Sequence, residues 1–234
     1  PSINEATIRL LTRMNMEVVV TEGVGCCGAL NHHIGKDNIA RDLAKTNIDA
    51  WLTEFDQRGI DNIIVNAAGC GTEIKDYAYM FKDDPEYNDK AKKISNLTKD
   101  ISELLSEHQL PSASLSNQPC IIYHDACSLM HGQGITREPR EHLKAVGFEV
   151  AEIPGRHFCC GSAGSYNLLQ SAMAEKLKNR RLTLIDRVSK SNQASILATG
   201  NIGCLMQLAA GTGLQVVHTV ELLDWATGGP KPPV

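Results

Sequence analysis

Short apolar runs rich in Val and Ile alternate with longer segments of helical periodicity along this chain of 234 residues. The runs predict strands over residues 17–20, 61–65, 120–123, 148–153, 195–199 and 214–218. The periodic segments predict helices over residues 8–14, 39–55, 72–81, 94–105, 137–146, 165–188 and 220–225, and from about residue 205. The charged stretch 81–93 contains Pro85 and is predicted to be a surface excursion. Strands that alternate with helices favour an α/β fold with mostly parallel sheets.

The chain divides into two halves with the same order of elements. Residues 110–119 are rich in Ser, Pro and Asn and predict a linker. We therefore expect a first domain over residues 1–110 and a second over residues 117–234. Each is predicted to be a small, mostly parallel sheet flanked by helices, and the two are pseudo-repeats of one another.

Seven of the eight cysteines belong to one duplicated pattern. Each half contains Cys-Cys-Gly, and a further cysteine follows at nearly the same distance, 43 positions in the first half and 44 in the second. The second half has one more cysteine, whose counterpart would fall before Pro1. Because the chain also begins without Met, we expect it to be part of a longer protein. The members of the pattern are Cys26, Cys27 and Cys70 in the first half and Cys127, Cys159, Cys160 and Cys204 in the second.

Every cysteine of the pattern follows a predicted strand and precedes a predicted helix. In a parallel sheet these loops share the edge at the carboxyl ends of the strands, where such folds bind ligands. The N-terminus of each following helix favours the thiolate form. Four thiolates fit an iron–sulfur cluster or zinc, and adjacent cysteines differ from the usual Cys-x-x-Cys spacing of zinc sites. A thiol–disulfide centre without metal and buried structural cysteines are the remaining alternatives. Cys120 lies inside a predicted strand and is predicted to be a small core residue.

The composition argues against two classes of protein. A net charge of −4 without a basic run argues against binding to nucleic acid. No apolar stretch has the length of a membrane span, and the chain has no signal peptide. Eight cysteines without a secretory signal indicate a reducing, cytoplasmic compartment, where thiols serve metal binding or catalysis.

Around the cysteines the sequence resembles the duplicated cysteine-rich CCG domain family. That family includes the cysteine-rich subunit of heterodisulfide reductase, lactate-utilisation proteins, the small subunit of anaerobic glycerol-3-phosphate dehydrogenase and the iron–sulfur subunit of glycolate oxidase. The stretches that favour the last of these are residues 25–33, 124–127, 131–133, 159–170, 201–204 and 217–225.

The resemblance implies an electron-transfer subunit of an oxidoreductase that is not active alone. In the family, a flavoprotein partner with FAD oxidises glycolate, and electrons pass through the iron–sulfur subunit toward quinone. The resemblance further implies an upstream ferredoxin-like module in the same parent protein and a peripheral position on the inner face of the cytoplasmic membrane. Carried over to this sequence, the ligands of the implied cluster, a 4Fe-4S cluster, are Cys127, Cys159, Cys160 and Cys204, together with Cys26, Cys27 and Cys70.

The sequence departs from the heterodisulfide reductase pattern at one position in each half. That pattern ends in Cys-x-x-Cys, and here Ala67 and Asn201 stand in place of the earlier cysteine. The departure counts against the alternative function, a cluster- or thiol-based disulfide reductase. A subunit of a lactate-oxidising complex and a docking scaffold with structural zinc are further alternatives. Asn201 could orient its loop or donate a hydrogen bond to sulfur.

Polar residues beside the cysteines are secondary candidates. His124, Asp125 and His131 could donate hydrogen bonds to a cluster, couple protons to electrons or contact a quinone. Alternatively, Asp125 caps a helix and the two histidines pack locally. Packing is the favoured role for the remaining histidines near the motifs, which are His32, His33, His157 and His218.

Overall fold

The first half of the molecule combines helices with a two-stranded sheet. The computed structural model describes residues 1–115 and 117–232. The first elements are the helices α1 (Ser2–Arg13), α2 (Ala29–His32) and α3 (Asp37–Arg58). They are followed by β1 (Ile63–Val65), α4 (Ala68–Lys75), α5 (Tyr77–Met80), α6 (Asn88–Leu97), β2 (Thr98–Asp100) and α7 (Ile101–Ser106).

The second half contains a four-stranded sheet. Its first elements are β3 (Cys120–Tyr123), a π-helical turn (Ser128–Gly132), α8 (Glu138–Ala145) and β4 (Glu149–Glu152). The chain continues through α9 (Tyr166–Leu169), α10 (Ser171–Asn192), β5 (Ile196–Thr199), α11 (Ile202–Ala209), β6 (Gln215–His218) and α12 (Thr219–Ala226).

All strands of both sheets run parallel. The second sheet has the order β4–β3–β5–β6, and Ile121 of β3 pairs with Val150 on one side and Ile196 on the other. The strand β5 is buried along its whole length, as expected where helices cover both faces of a parallel sheet. The carboxyl ends of β4, β3 and β5 therefore lie side by side at one edge. The first sheet consists of β1 and β2.

One apolar core is shared between the halves. Leu10 of α1 and Leu104 of α7 belong to the same buried cluster as Tyr123 of the second sheet. Ion pairs add to this contact, because Arg13 of α1 lies 3.0 Å from the buried carboxylate of Asp224 in α12. Part of the first half thus packs on the second sheet, and the domain boundary between residues 110 and 117 stays a prediction.

The α/β fold class and most of the predicted elements are confirmed. The apolar runs after residue 60 correspond to β1, β3, β4, β5 and β6, and the predicted helices correspond to α1, α3, α8, α9, α10, α11 and α12. The helix predicted from about residue 205 begins earlier, at Ile202. In the predicted linker, residues 110–115 and 117–119 form neither helix nor strand, and Ser116 lies outside the described residues.

Two predictions about strands are wrong. Residues 17–20 form no strand, and Val20 is 76% exposed. The corresponding β4 of the second half pairs with β3, whereas within the described part of the chain no strand lies beside residues 17–20. The helix predicted over residues 94–105 is interrupted by β2, because residues 98–100 pair in parallel with β1. Tertiary pairing here outweighs the local periodicity.

Two further predictions need correction. The helix predicted over residues 72–81 is divided at Asp76 into α4 and α5. The stretch 81–93 is not a simple surface excursion, because Phe81, Tyr87 and Ala91 are buried in the apolar cluster of the first half. Its charged residues lie between these buried positions, and Lys45 approaches the rings of Phe81 and Tyr87 from α3. Among the described residues, no helix is both long enough and apolar enough to span a membrane.

Candidate metal centre

Three loops of the second half bring four cysteines together at the carboxyl edge of the sheet. Cys127 follows β3 directly before the π-helical turn, Cys159 and Cys160 lie in the loop after β4, and Cys204 lies in the first turn of α11. The side chains interact in a row, Cys127 with Cys159, Cys159 with Cys160 and Cys160 with Cys204. The expected convergence of these residues is present, and their role as ligands stays a prediction.

Interactions between neighbouring thiols in this row shift their pKa values in opposite directions. The hydrogen bond from Cys127 lowers the pKa of the Cys159 thiol, and the interaction with Cys160 lowers the pKa of Cys204. The pKa values of Cys127 and Cys160 are raised, first because each donates to Cys159. Some of these thiols thus lose their protons more readily than others, and a bound metal would release the remaining protons.

Nitrogen donors approach the sulfurs from several sides. The backbone N–H of Gly161 donates to Cys159 Sγ at 3.3 Å, and Asn201 Nδ2 donates to Cys204 Sγ at 3.5 Å. A ring nitrogen of the buried His124 lies within 4.8 Å of Cys204 Sγ. Such donors stabilise negative charge on sulfur and tune the potential of metal–thiolate groups.

The glycine of each Cys-Cys-Gly motif is required by the backbone. Gly28 and Gly161 have φ angles of 92° and 93°, in the left-handed region that L side chains rarely adopt. A Cβ atom on Gly28 would stand 2.9 Å from the carbonyl oxygen of Ala40, and one on Gly161 would stand closer still to that of Ala174. Both loops thus pack tightly against the long helix that follows them, α3 or α10.

The first half brings together a smaller group of cysteines. The Cys27 and Cys70 side chains are hydrogen-bonded to each other, and the pKa of Cys27 is raised first by this bond and then by burial. Cys26 is exposed, and the N–H of Gly28 lies 3.5 Å from its sulfur. The pKa of Cys70 is lowered, first by the hydrogen bond from Cys27, whereas burial and the charges of Cys26 and Glu73 act in the opposite direction. The first half thus contributes three cysteines to its site, one fewer than the second half.

Asn201 links the two halves. Its Nδ2 donates to Cys204, and its Oδ1 accepts from the N–H of Gly69 at 3.3 Å, next to Cys70. The backbone N–H of Ala68 also donates to the carbonyl oxygen of Gly200, at 3.3 Å. The predicted hydrogen bond from Asn201 to sulfur is present in the structure, whereas the methyl group of its counterpart Ala67 cannot donate one.

The secondary candidates beside Cys127 have different surroundings. Asp125 is buried and ion-paired with Arg140 and with Arg156, the latter at 3.2 Å. Burial opposes its ionisation, but hydrogen bonds from the two guanidinium groups lower its pKa overall. Asp125 therefore forms ion pairs with two arginines rather than capping a helix. His131 is exposed, whereas His124 is only 1% exposed.

The other histidines take various positions around the motifs. His32 Nδ1 lies 2.9 Å from Glu73 Oε1, which connects α2 with α4. His218 is buried and caps α12, where its Nδ1 accepts from the N–H of Val220. His33 and His157 are exposed.

Sequence reasoning missed one buried polar residue in each long helix. Arg181 of α10 donates from Nε to His124 Nδ1 at 3.0 Å and from Nη1 to the carbonyl oxygen of Gly155 at 2.9 Å. Asn47 of α3 accepts from the N–H of Gly25 at 2.8 Å and donates to the carbonyl oxygen of Cys26 at 3.0 Å. The available signal was a polar residue on the apolar stripe of each helix. In α10 that stripe consists of Ala174, Arg181, Ile185 and Val188.

The second-half site fits a thiolate-bound metal group. Four sulfurs converge, two of them accept hydrogen bonds from N–H groups, and the guanidinium charge of Arg181 acts on Cys160 and Cys204. Cys160 and Cys204 are buried, so the site excludes water from part of its surface. This donor set suits a 4Fe-4S cluster or a zinc ion.

Such a fold with cysteines on its sheet edge defines a class of metal-binding cysteine-rich proteins. Residues 1–75 and 121–209 match the family described as "Cysteine-rich domain", or CCG. The chain belongs to this family, and the suspected membership is confirmed.

Individual proteins similar to this chain carry more specific names than the family does. The chain is 34% identical over 226 residues to the "Glycolate oxidase iron-sulfur subunit" of Escherichia coli (strain K12), covering 97% of this chain and 54% of that protein. It is 35% identical over 236 residues to the "Probable glycolate oxidase iron-sulfur subunit" of Bacillus subtilis (strain 168), covering 96% and 51%. The chain thus spans about half the length of these two relatives. It is also 25% identical to "Lactate utilization protein A" of Bacillus subtilis (strain 168), covering 95% of this chain and 92% of that protein.

Proposed function

We propose that the chain is an iron–sulfur electron-transfer subunit of a flavin-linked glycolate, or 2-hydroxyacid, dehydrogenase. The single observation that carries the proposal is the row of four thiols at the carboxyl edge of the second sheet. Membership of the cysteine-rich family and the printed names of the glycolate oxidase relatives support it. The chain belongs to an oxidoreductase in this proposal, but it does not oxidise the hydroxyacid alone.

Each part of the site has a definite task in the proposal. Cys127, Cys159, Cys160 and Cys204 hold the cluster, which supplies one-electron transfer when it is bound. Burial of Cys160 and Cys204 limits contact with water, and the backbone N–H of Gly161 stabilises charge on sulfur. Cys26, Cys27 and Cys70 are proposed as ligands of a second, weaker site in the first half.

The proposal also names partners and a location. A flavoprotein with FAD oxidises the substrate and passes electrons to this chain, which transfers them toward quinone. A ferredoxin-like module of the same parent protein would form another step of this path. The complex would lie in the cytoplasm, peripherally on the inner face of the cytoplasmic membrane. These assignments rest on the resemblance to glycolate oxidase subunits.

The decisive experiment measures iron and sulfide in protein purified without oxygen. We expect both elements together with the visible absorption of an iron–sulfur cluster. Changing Cys127, Cys159, Cys160 or Cys204 singly to Ser should abolish most of the iron. Cys120→Ser is the matched control, because Cys120 begins β3 and packs on the apolar cluster beneath the site. Equal loss of iron in Cys120→Ser, or zinc in place of iron, would contradict the proposal.

A lactate-oxidising complex is the second candidate, and one observation favours it. The chain covers 92% of the length of a lactate utilisation protein, compared with about half of the glycolate oxidase relatives. Cells that produce the full parent protein and its flavoprotein partner can be supplied with glycolate or lactate. Reduction of the cluster by one substrate and not by the other would decide between the candidates.

A further inference from the structure

Arg181 is the largest fully buried side chain of the molecule among the residues that the structure describes. Its Nη1 holds the carbonyl oxygens of Pro154 and Gly155, in the loop that leads to Cys159. Its Nε donates to His124 Nδ1 at 3.0 Å. A buried cation is costly, so a specific role for this arginine is expected.

The contact with Arg181 fixes the state of the His124 ring. A guanidinium group has only donors, so Nδ1 of His124 must be the acceptor. A neutral imidazole has one acceptor nitrogen and one N–H. The single free lone pair of His124 is therefore occupied by Arg181, and the proton lies on Nε2.

This state bears on how His124 acts toward the sulfurs. One ring nitrogen lies within 4.8 Å of the sulfurs of Cys160 and Cys204, and the three groups together have the spacing of a metal site. A metal ligand, however, must offer a free lone pair. With Nδ1 occupied by Arg181 and Nε2 protonated, the His124 ring has none, but it retains one N–H to donate.

We propose that Arg181 excludes His124 from the ligands of the metal group and commits its Nε2–H to the sulfur of Cys204. Cys204 then accepts two hydrogen bonds, one from His124 and one from Asn201 Nδ2 at 3.5 Å. Both donors and the nearby charge of Arg181 stabilise the reduced, more negative state of the centre and raise its reduction potential. Arg181 is a positioning residue in this scheme. The inference rests on the proposed iron–sulfur function.

The first test needs no variant. The protein is purified without oxygen, labelled with ¹⁵N in histidine and reduced to a paramagnetic state, and the coupling of ¹⁵N to the electron spin is measured by pulsed electron paramagnetic resonance. We expect only the weak coupling of a hydrogen-bonded ring. A strong coupling of a directly bound nitrogen would overturn the inference. Absence of iron would instead contradict the proposed function, so the two failures are distinguishable.

Substitutions test the contribution to the potential. His124→Gln should retain iron but lower the ratio of reduced to oxidised protein about tenfold at a fixed potential, which is about 59 mV for one electron. Arg181→Met should also lower the reduction potential. Arg181→Lys retains a donor and the charge, so its potential should lie close to that of the unchanged protein. If His124→Gln loses iron as Cys204→Ser does, His124 is a ligand and the inference is wrong. Unchanged potentials in His124→Gln and Arg181→Met would also contradict it.

Discussion

The two long helices α3 and α10 occupy equivalent places but hold their cysteine loops by different means. Each has 22 residues, and each inserts its eleventh residue, Asn47 or Arg181, into the loop that carries Cys-Cys-Gly. The first half uses a neutral amide, and the carboxylate of Glu73 lies buried close to its thiols. The second half uses a permanent cation beside its thiols. One backbone plan thus supports two loops that are held by side chains of different charge, and the cation of the second half favours an anionic metal–thiolate group.

The strongest test of this difference compares equivalent cysteines. Cys204→Ser should abolish most of the bound iron, because it removes a buried sulfur from the row of four. Cys70→Ser should remove only the metal that the first half holds, which we expect to be the smaller share because that half has three cysteines of the pattern and the second has four. Iron per chain, measured after anaerobic purification of both variants, checks the prediction. Equal losses would show that the two sites depend on each other or hold metal equally well.

Replacing the glycine of either Cys-Cys-Gly motif by alanine should destabilise the protein, because both loops have the same backbone conformation. Gly161→Ala should lower the free energy of unfolding by about 2–5 kcal/mol, from left-handed strain and displacement of the Ala174 carbonyl. Gly28→Ala should cost somewhat less, because its contact with Ala40 is longer, at 2.9 Å. Denaturation by urea in the metal-free protein measures both values.

Gly35→Ala is the control for the strain itself. Gly35 has a φ of 73°, but a Cβ atom there would meet nothing within 4 Å. Its cost should be the strain alone, about 1–2 kcal/mol. If all three glycine variants are equally stable, the close packing of the motifs on α3 and α10 has no energetic importance.

Removing the side-chain amide of Asn47 should destabilise the Cys-Cys-Gly loop of the first half without affecting the site in the second half. Asn47→Ala removes the hydrogen bonds with the N–H of Gly25 and the carbonyl of Cys26, which costs about 1–3 kcal/mol of unfolding free energy. Asn38→Ala, at an exposed position of the same helix, is the control and should change stability by less than about 0.5 kcal/mol. Iron bound by the second half should be retained in both variants, and its loss in Asn47→Ala would argue against independent loops.

The sequence predicted the repeat and the place of the cysteines, because both follow from strand ends and spacing. It did not predict β2, whose residues Thr98, Lys99 and Asp100 form no apolar run and become a strand only beside β1. The contact between Arg181 and His124 joins positions 57 residues apart in sequence, and no local pattern indicates it. Arg181 interrupts an apolar stripe, which marks it as unusual, but its partner is determined by packing of α10 on the sheet.

The capping residues of α7 and α12 provide the last and smallest test of the comparison. Asp100 and His218 occupy the same position of equivalent capping boxes, where each accepts from a backbone N–H two residues later. Burial raises the pKa of Asp100 to about 6 and lowers that of His218 to about 4. Unfolding returns these groups to pKa values of about 3.9 and 6.5.

The two shifts act on stability in opposite directions. The folded state binds a proton at Asp100 more readily than the unfolded state, so this residue's contribution is lost as the pH rises from about 4 to 6. The folded state keeps His218 neutral, so its contribution is lost as the pH falls from about 6.5 to 4. Between about pH 7 and pH 5, His218 should lower the unfolding free energy by roughly 2 kcal/mol and Asp100 should raise it by roughly 1 kcal/mol.

His218→Gln should therefore make the metal-free protein more stable at pH 5 relative to pH 7, and Asp100→Asn less stable, compared with the unchanged chain. Urea denaturation at both values measures these differences, and shifts of the same sign in the two variants would contradict the assignment.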